Sequence, residues 1–416
     1  MRPRRDGTRS ETSSVNIWRV PTRTRQSTGI RSAELVEHGG LQAFDVRLRR
    51  MHAPRFSLTG LTGRLTSAIC GLSLVCTLGC SGEDASEQVA ANTWKQVLPG
   101  GDTACADGKD FSFWTYLGDP GKVVLYLQGG GACFDAVTCA FTATQTVYDW
   151  TISEEDYPAQ QKGIFDFARA DNPFLGYSFV YVPYCTGDVH LGNISQEYSE
   201  TLTVEHRGMV NGTAALETLS NEFASASQVV VVGASAGAVA SPIYGGLVSD
   251  RLPNARVTVF ADGSGAYPDD PRVNAEIFEN KWGSFASRPQ WEENEGLEAQ
   301  DWGIPRFWVQ AGLHAPNMTM ARFDYASDRV QGFFMTLLGQ DTSDLLASMM
   351  ENENNIEEAG IVQHSFTSSG SAHTIVEDDK FYDLQVAGVR LSTWLNELVT
   401  GHEVSDVLCE DCSTDP

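Results

Sequence analysis

The stretch VVVVGASAGAVASPIYGG, residues 229–246, sets four valines against a run of small residues centred on Gly233-Ala234-Ser235-Ala236-Gly237. Continuous β-branched apolarity fits a strand covered on both faces. The small-residue segment after it fits a helix opening at Ala236. A serine at such a junction is lifted off the sheet and presented at its edge. The turn is crowded, so small residues are needed two positions to either side. Gly233 and Gly237 meet that demand, and Ser235 is expected to be a nucleophile. The competing reading is a glycine-rich tight turn between a strand and a helix.

Outward from this junction the chain repeats the pattern. Apolar runs bounded by turn residues occur at 123–127 (VVLYL), 178–183 (SFVYVP), 257–261 (VTVFA) and, more weakly, 319–323. Helical stretches lie at 208–223, 236–249 and 386–399. Alternating strands and helices predict an α/β fold with a mostly parallel, doubly wound sheet. Two segments, about 140–176 and 265–317, exceed ordinary connections and carry aromatics. The first holds Phe141, Tyr148, Trp150, Tyr157 and Phe165, the second Tyr267, Phe278, Trp282, Trp291 and Trp302. Inserts of that size are expected as lids or pocket walls, with extra core as the alternative.

A serine hydroxyl needs a base and a place for the oxyanion. Gln128-Gly129-Gly130-Gly131-Ala132-Cys133 follows the VVLYL run directly. Its glycines allow close backbone approach, and Gly130, Gly131 and Ala236 are the expected oxyanion donors. A phosphate loop is disfavoured, because no Lys-Ser/Thr pair follows and the spacing is not Gly-x-Gly-x-x-Gly. In a hydrolase of the α/β type the order is serine, acid, histidine. Four histidines follow Ser235: His314, His364, His373 and His402. His373, in SSGSAHTIV before the last helical stretch, is the expected base. For the acid, Asp262, Asp324 and Asp328 all remain open on strand order.

The set LQGGGACF, PYCTGDVHLGN, GASAGAVA, ASDRVQGFF and SAHTI resembles the pectin acetylesterase/Notum family of α/β-hydrolases, over about residues 93–400. The resemblance implies an α/β-hydrolase with inserted lid segments, a Ser-Asp-His triad acting on carboxylic esters, and no metal or cofactor. Its serine motif falls on Ser235 and its Gly-Gly-x-x-Cys loop on Gly129 to Cys133, supporting Gly130, Gly131 and Ala236. Its acid pattern Asp-x-x-Gln falls on Asp328-Arg329-Val330-Gln331 and its histidine on His373. The chain departs from the family at Gly131, where animal and plant members carry an aromatic residue, and at Thr186 to His190. Substrate identity is therefore not carried over. The implied activity is hydrolysis of acetyl or short acyl esters, with a carbohydrate as one candidate for the alcohol portion. The alternative is a non-catalytic, surface-anchored binding protein on a hydrolase fold.

Charge narrows the partners. The chain of 416 residues carries −25, but residues 1–50 are basic, with eleven Arg against five acidic residues. After Gly79 there remain 16 basic and 49 acidic residues, a charge of −33. Such a body lacks the cations that neutralise phosphates, which excludes nucleic acid, and it repels polyanions such as pectin at low salt. Residues 1–50 are expected to be a disordered basic extension or to precede the true start at Met51. Residues 51–79 read as a signal peptide with Arg55 and Arg64 ahead of an apolar run. The run ends Thr77-Leu78-Gly79-Cys80, resembling a lipoprotein signal that would lipidate Cys80, the expected route to a membrane. A polar linker at 80–92, a catalytic domain at 93–403 and an acidic tail at 404–416 complete the organisation. Export to a bacterial cell envelope or beyond makes disulfides the expected state of Cys105, Cys133, Cys139, Cys185, Cys409 and Cys412. Pairs 133/139 and 409/412 are the readable short loops, and a zinc site at 409/412 is the weaker reading.

Overall fold

The computed structural model describes residues 93–142 and 147–413. The reading of residues 1–92, including the leader and Cys80, lies outside them. No helix among the described residues is long and apolar enough to cross a membrane.

The chain opens with β1 (Trp94–Val97), β2 (Phe113–Tyr116), β3 (Asp119–Leu127) and β4 (Tyr177–Val182). A hairpin, β5 (Ile194–Ser199) and β6 (Leu202–His206), leads into α1 (Gly208–Glu222). The quoted stretch then forms β7 (Gln228–Ala234) and α2 (Ala236–Arg251), followed by β8 (Arg256–Asp262). The second insert contains a short turn α3 (Pro271–Val273), a π-helical turn Asn274–Glu279 and α4 (Ile304–His314). After it come β9 (Thr319–Tyr325), α5 (Arg329–Leu337), α6 (Leu345–Glu358) and β10 (Gln363–Ser368). A small hairpin, β11 (Gln385–Val386) and β12 (Val389–Arg390), precedes α7 (Leu391–Thr400) and β13 (Val407–Leu408).

Among the described residues nine strands form the main sheet, in the order β1-β2-β4-β3-β7-β8-β9-β10-β13. Only β1/β2 and β2/β4 pair antiparallel; from β4 to β13 every pairing is parallel. The valines of β7 explain why it is central. Val229 and Val231 pack into the core on one face, with α1, α2 and α4; Val230 and Val232 pack into the core on the other, with α7. All four are fully buried, each worth roughly 1.5–3 kcal/mol of transfer free energy.

Pro242 sits inside α2 and cannot donate to the carbonyl of Ala238. Ser241 Oγ donates to that carbonyl instead, at 2.9 Å, so the helix continues through the proline. Chain order reverses at β3, whose neighbours are β4 on one side and β7 on the other. Ligand crevices in open α/β sheets form at such a point, beyond the carboxyl ends of the strands.

Three details differ from the sequence reading. The helix expected over 386–399 begins only at Leu391, because Ala387 and Gly388 take left-handed φ of 48° and 81° in the β11–β12 turn. The polar segment QHSFTS around His364 is strand β10, paired with β9 and β13, which polarity concealed. Residues 404–416, read as a tail, contribute β13 to the sheet edge through Phe366↔Val407 and Thr367↔Leu408. Disulfides join Cys105–Cys185, Cys133–Cys139 and Cys409–Cys412; the zinc reading at 409/412 fails, because those sulfurs are bonded to each other.

Candidate active site

Strand β3 ends at Leu127 opposite Gly233, one residue before β7 ends at Ala234. The two glycine-rich segments therefore meet beyond the sheet. Ser235 takes φ 52° and ψ −115°, a strained conformation for a residue with a side chain, costing on the order of 1–3 kcal/mol. It turns the strand into α2 and projects Oγ away from the sheet. The clearance is set by the glycines: a Cβ on Gly233 would run into the carbonyl of Gly237, and one on Gly237 into that of Leu127. A Cβ on Gly129 would stand 2.8 Å from the Cβ of Ser235, so the Gly129–Gly131 loop lies directly against the serine.

His373 Nε2 lies 2.7 Å from Ser235 Oγ, and its Nδ1 lies 2.7 Å from Asp328 Oδ2. A carboxylate only accepts, so Nδ1 carries the proton and Nε2 accepts from the serine hydroxyl. Asp328 is fully buried and caps α5, with Oδ1 accepting from the N–H groups of Val330 and Gln331 at 2.8 and 3.1 Å. The His373 loop is pinned from β8. Asp262 Oδ2 accepts from the N–H groups of Ile375 and Val376 at 2.7 and 2.8 Å. Burial alone would push the His373 pKa down; its hydrogen bond to Asp328 and the charges of Asp328, Asp262 and Asp324 outweigh this and leave it raised. Burial pushes Asp262 up to about 7.

Of the three acids left open by strand order, the structure brings Asp328 alone to His373. Asp262 clamps the loop, and Asp324 bonds Arg322, Gly265 and Gln331. The other histidines lie elsewhere. His314 is held between Asp250 and Glu293, His364 is in β10, and His402 is exposed beside Glu397.

The N–H groups of Gly130, Gly131 and Ala236 donate no hydrogen bond among the described residues. Gly131 has φ 77°, and a Cβ there would strike the carbonyl of Val147. The backbone of 147–148 thus fills the space beside this residue, bridged by Gly131↔Tyr148. His190, itself at φ 60°, fixes the start of the loop: its Nε2 bonds the carbonyl of Gln128 at 2.8 Å. Burial lowers the His190 pKa to about 4, so it is neutral and donates that bond through Nε2–H.

A cavity of about 60 Å³ adjoins Ser235, Ala236 and Gly131. Its walls are mostly apolar, with Phe134 from the glycine loop, Val239 from α2, Val273, Phe278 and Ile304 from the second insert and Phe334 from α5; Asn274 and Gln340 are polar exceptions. The expectation of pocket walls thus meets the second insert in part. Tyr267, Phe278 and Trp282 line the cavity, while Trp291 and Trp302 do not. None of the five aromatics singled out in the first insert lines it; Phe165, for example, packs edge-on against Tyr126 in the core. Sequence reasoning missed Asp262 as a clamp, His190 as the loop anchor and Val273, Ile304 and Phe334 as walls. Only the positive φ at His190 has no sequence signal at all.

The mostly parallel sheet with flanking helices and the strained serine turn at its edge fit an α/β-hydrolase fold. The solved structure of the Wnt deacylase Notum from Drosophila shares the fold, with a TM-score of 0.56 at 16% identity, covering 76% of this chain and 96% of that one. Residues 97–295 match the family model described as pectinacetylesterase. Pectin acetylesterase 5 of Arabidopsis thaliana is 29% identical over 143 residues, 34% of this chain and 33% of that protein. The palmitoleoyl-protein carboxylesterase NOTUM of Schmidtea mediterranea is 30% identical over 121 residues, 28% and 22% of the two chains. These alignments span about a third or less of the length of the curated relatives. These matches support the pectinacetylesterase/Notum family for this chain.

Proposed function

We propose that this protein is an exported serine hydrolase that cleaves carboxylic esters through an acyl-enzyme. The observation that carries the reading is the continuous Ser235–His373–Asp328 contact, 2.7 Å at each step, beside an apolar cavity. Ser235 Oγ attacks the ester carbonyl as His373 Nε2 takes its proton. Asp328 holds the imidazole tautomer and balances the imidazolium. The N–H groups of Gly130, Gly131 and Ala236 are the donors for the oxyanion. The tetrahedral intermediate collapses as His373 returns the proton to the leaving alcohol. Water, activated by the same imidazole, then adds to the acyl-serine, and the acid departs with Ser235 restored. The relatives act on acyl esters by name, which supports the reaction class.

The cavity supports a short acyl group as the part of the substrate bound beside Ser235. One water-sized group needs roughly 10–15 Å³, so a cavity of about 60 Å³ has room for more than one, as a short acyl chain requires. The alcohol portion is proposed to be uncharged, because the body around the site is strongly acidic; a neutral acetylated polysaccharide fits and a polyuronate does not. Three disulfides support an oxidising, exported setting.

The test is Ser235→Ala on p-nitrophenyl esters, with labelling by a fluorophosphonate. Loss of activity on the order of 10⁶ in kcat, together with loss of labelling, is expected. Retained turnover in Ser235→Ala would overturn the assignment, and an unlabelled wild type would favour a binding protein on this fold.

A further inference from the structure

Behind Asp328 lies a second buried carboxylate. Asp324 is fully buried, on β9, and Oδ1 accepts from the N–H of Gly265 and from Gln331 Nε2, each at 2.9 Å. Gln331 Nε2 also donates to Asp328 Oδ2 at 3.0 Å, the oxygen that receives His373 Nδ1–H. Gln331 Oε1 accepts from the N–H of Ala266 at 2.9 Å, which fixes the amide so that both of its protons face the two carboxylates. On its far side Asp324 Oδ2 accepts from Arg322 Nη1 at 3.0 Å. Arg322 is itself buried and reaches Thr367 Oγ1 at 3.1 Å and Glu353 Oε2 at 2.6 Å. The contacts run without a break from Glu353, at the half-buried end, to Ser235.

On the reading of Ser235, His373 and Asp328 given above, we propose that Asp324 and Gln331 are positioning residues that set the basicity of His373 through Asp328. Gln331 gives one N–H to each carboxylate, and Arg322 balances the inner one. Asp324 then acts as a remote negative charge that favours the imidazolium. Gln331 acts in the opposite sense, since its N–H supports the Asp328 charge and lessens that oxygen's hold on the imidazole proton. A carboxyl at 324 that served only to hold α5 in place would not produce effects of opposite sign.

The other groups facing His373 are Ser235 and Asp262, with Asp262 bonded to Ile375 and Val376. Tyr267 feels the charges of Asp328 and Asp324, and Tyr325 those of Asp262, Asp378 and Asp328; burial holds both hydroxyls above their usual range, so they stay neutral. Burial likewise raises Asp324, with Arg322 opposing.

The test is the acid limb of kcat/KM against pH, which reports the free-enzyme pKa of the base. Asp324→Asn keeps an acceptor for Gln331 and removes the charge; the limb is expected to move down by roughly half to one pH unit. Gln331→Met keeps the volume and removes the N–H pair; the limb is expected to move up. In each the maximal kcat/KM should stay within about tenfold of wild type, against about 10⁴ for Asp328→Asn. A limb that stays in place in both variants, or moves the same way in both, overturns the proposal, even where thermal stability falls. One variant decides where the other fails to fold. Should both fail, Glu353→Gln at the half-buried end carries the test with a smaller downward shift, and an unmoved limb counts against it. Failure of the triad itself shows separately, as activity that survives Ser235→Ala.

Discussion

A series of p-nitrophenyl esters should reveal the cavity beside Ser235 as an acyl pocket of limited length. The leaving group is constant, so kcat/KM reports how well the acyl chain is bound as the serine attacks. Each methylene transferred from water to an apolar site is worth about 0.8 kcal/mol, or about fourfold. Acetyl places one carbon beyond the carbonyl and hexanoyl five, so the series extends the chain stepwise into the cavity of about 60 Å³. Four added methylenes give about 3.2 kcal/mol, so kcat/KM should rise on the order of 200-fold from acetyl to hexanoyl. Octanoyl and decanoyl are expected to gain nothing more, as a pocket of limited length requires. Val273→Phe tests the location. Val273 is buried, on the short turn α3, and its side chain lines the cavity from the second insert. Phenylalanine adds four carbons where the acyl chain would lie. The variant should keep acetyl ester hydrolysis within a few-fold while the hexanoyl advantage falls to about fivefold or less. A wild-type series that is flat from acetyl to hexanoyl would refute the acyl assignment, as would a Val273→Phe series that keeps its full slope.

The wild-type acid limb of kcat/KM should lie above pH 6.5, the ordinary imidazole value, because the His373 pKa is raised and only the neutral form can take the serine proton; a limb below 6.5 contradicts that environment. His190→Ala removes the bond that fixes the Gln128 carbonyl. It should cost about 1–3 kcal/mol in thermal denaturation and lower kcat/KM for every ester alike, whereas a selective loss on long chains would assign His190 to the acyl pocket instead. Replacing Cys105 and Cys185 by serine opens a loop with a sequence separation of 80 and should cost roughly 4–5 kcal/mol, against about 2 kcal/mol for the pair Cys133 and Cys139, separated by 6. The shorter pair sits at the end of the glycine loop, so its removal should cost proportionally more activity than stability; the reverse ranking by calorimetry and ester assay would separate that loop from the reaction.

The fold was legible where burial on both faces forced continuous apolarity. β7 and β8 read as apolar runs because every valine and phenylalanine in them meets a core on one side or the other. β10 did not, since QHSFTS is spent on polar contacts: Ser365 Oγ reaches Glu353 and Thr367 Oγ1 receives Arg322. The buried ions on β9 and α6 thus draw polar partners from β10, and those partners hid the strand. Likewise the start of α7 was misplaced, because a two-residue turn at Ala387-Gly388 leaves no mark on the apolar spacing around it.

The three aspartates show where sequence order runs out. Each lies at or just beyond the carboxyl end of a strand, so order and spacing admit all of them. The structure separates them by what their oxygens accept. Asp262 Oδ2 takes two backbone N–H groups of the His373 loop, which leaves that oxygen for the loop and not for the ring. Asp324 faces a buried arginine on one side and an amide on the other, which makes it a counter-charge. Asp328 divides its oxygens, one to the first turn of α5 and one to Gln331 and the ring. That division depends on Asp328 standing at the helix N-cap, where two backbone donors hold one oxygen and so aim the other. An aspartate in mid-strand has no such pair of donors beside it, because its neighbours' N–H groups are taken by the sheet. The Asp-x-x-Gln spacing therefore has a physical content: the cap aims the acid, and three residues later the same helix turn returns an amide to the aimed oxygen. Asparagine at 331 is one carbon shorter and would be unable to span both carboxylates while reaching the N–H of Ala266. Gln331→Asn should then behave as Gln331→Met does, with an acid limb moved up, and an unchanged limb in that variant would show that the length of the side chain is immaterial.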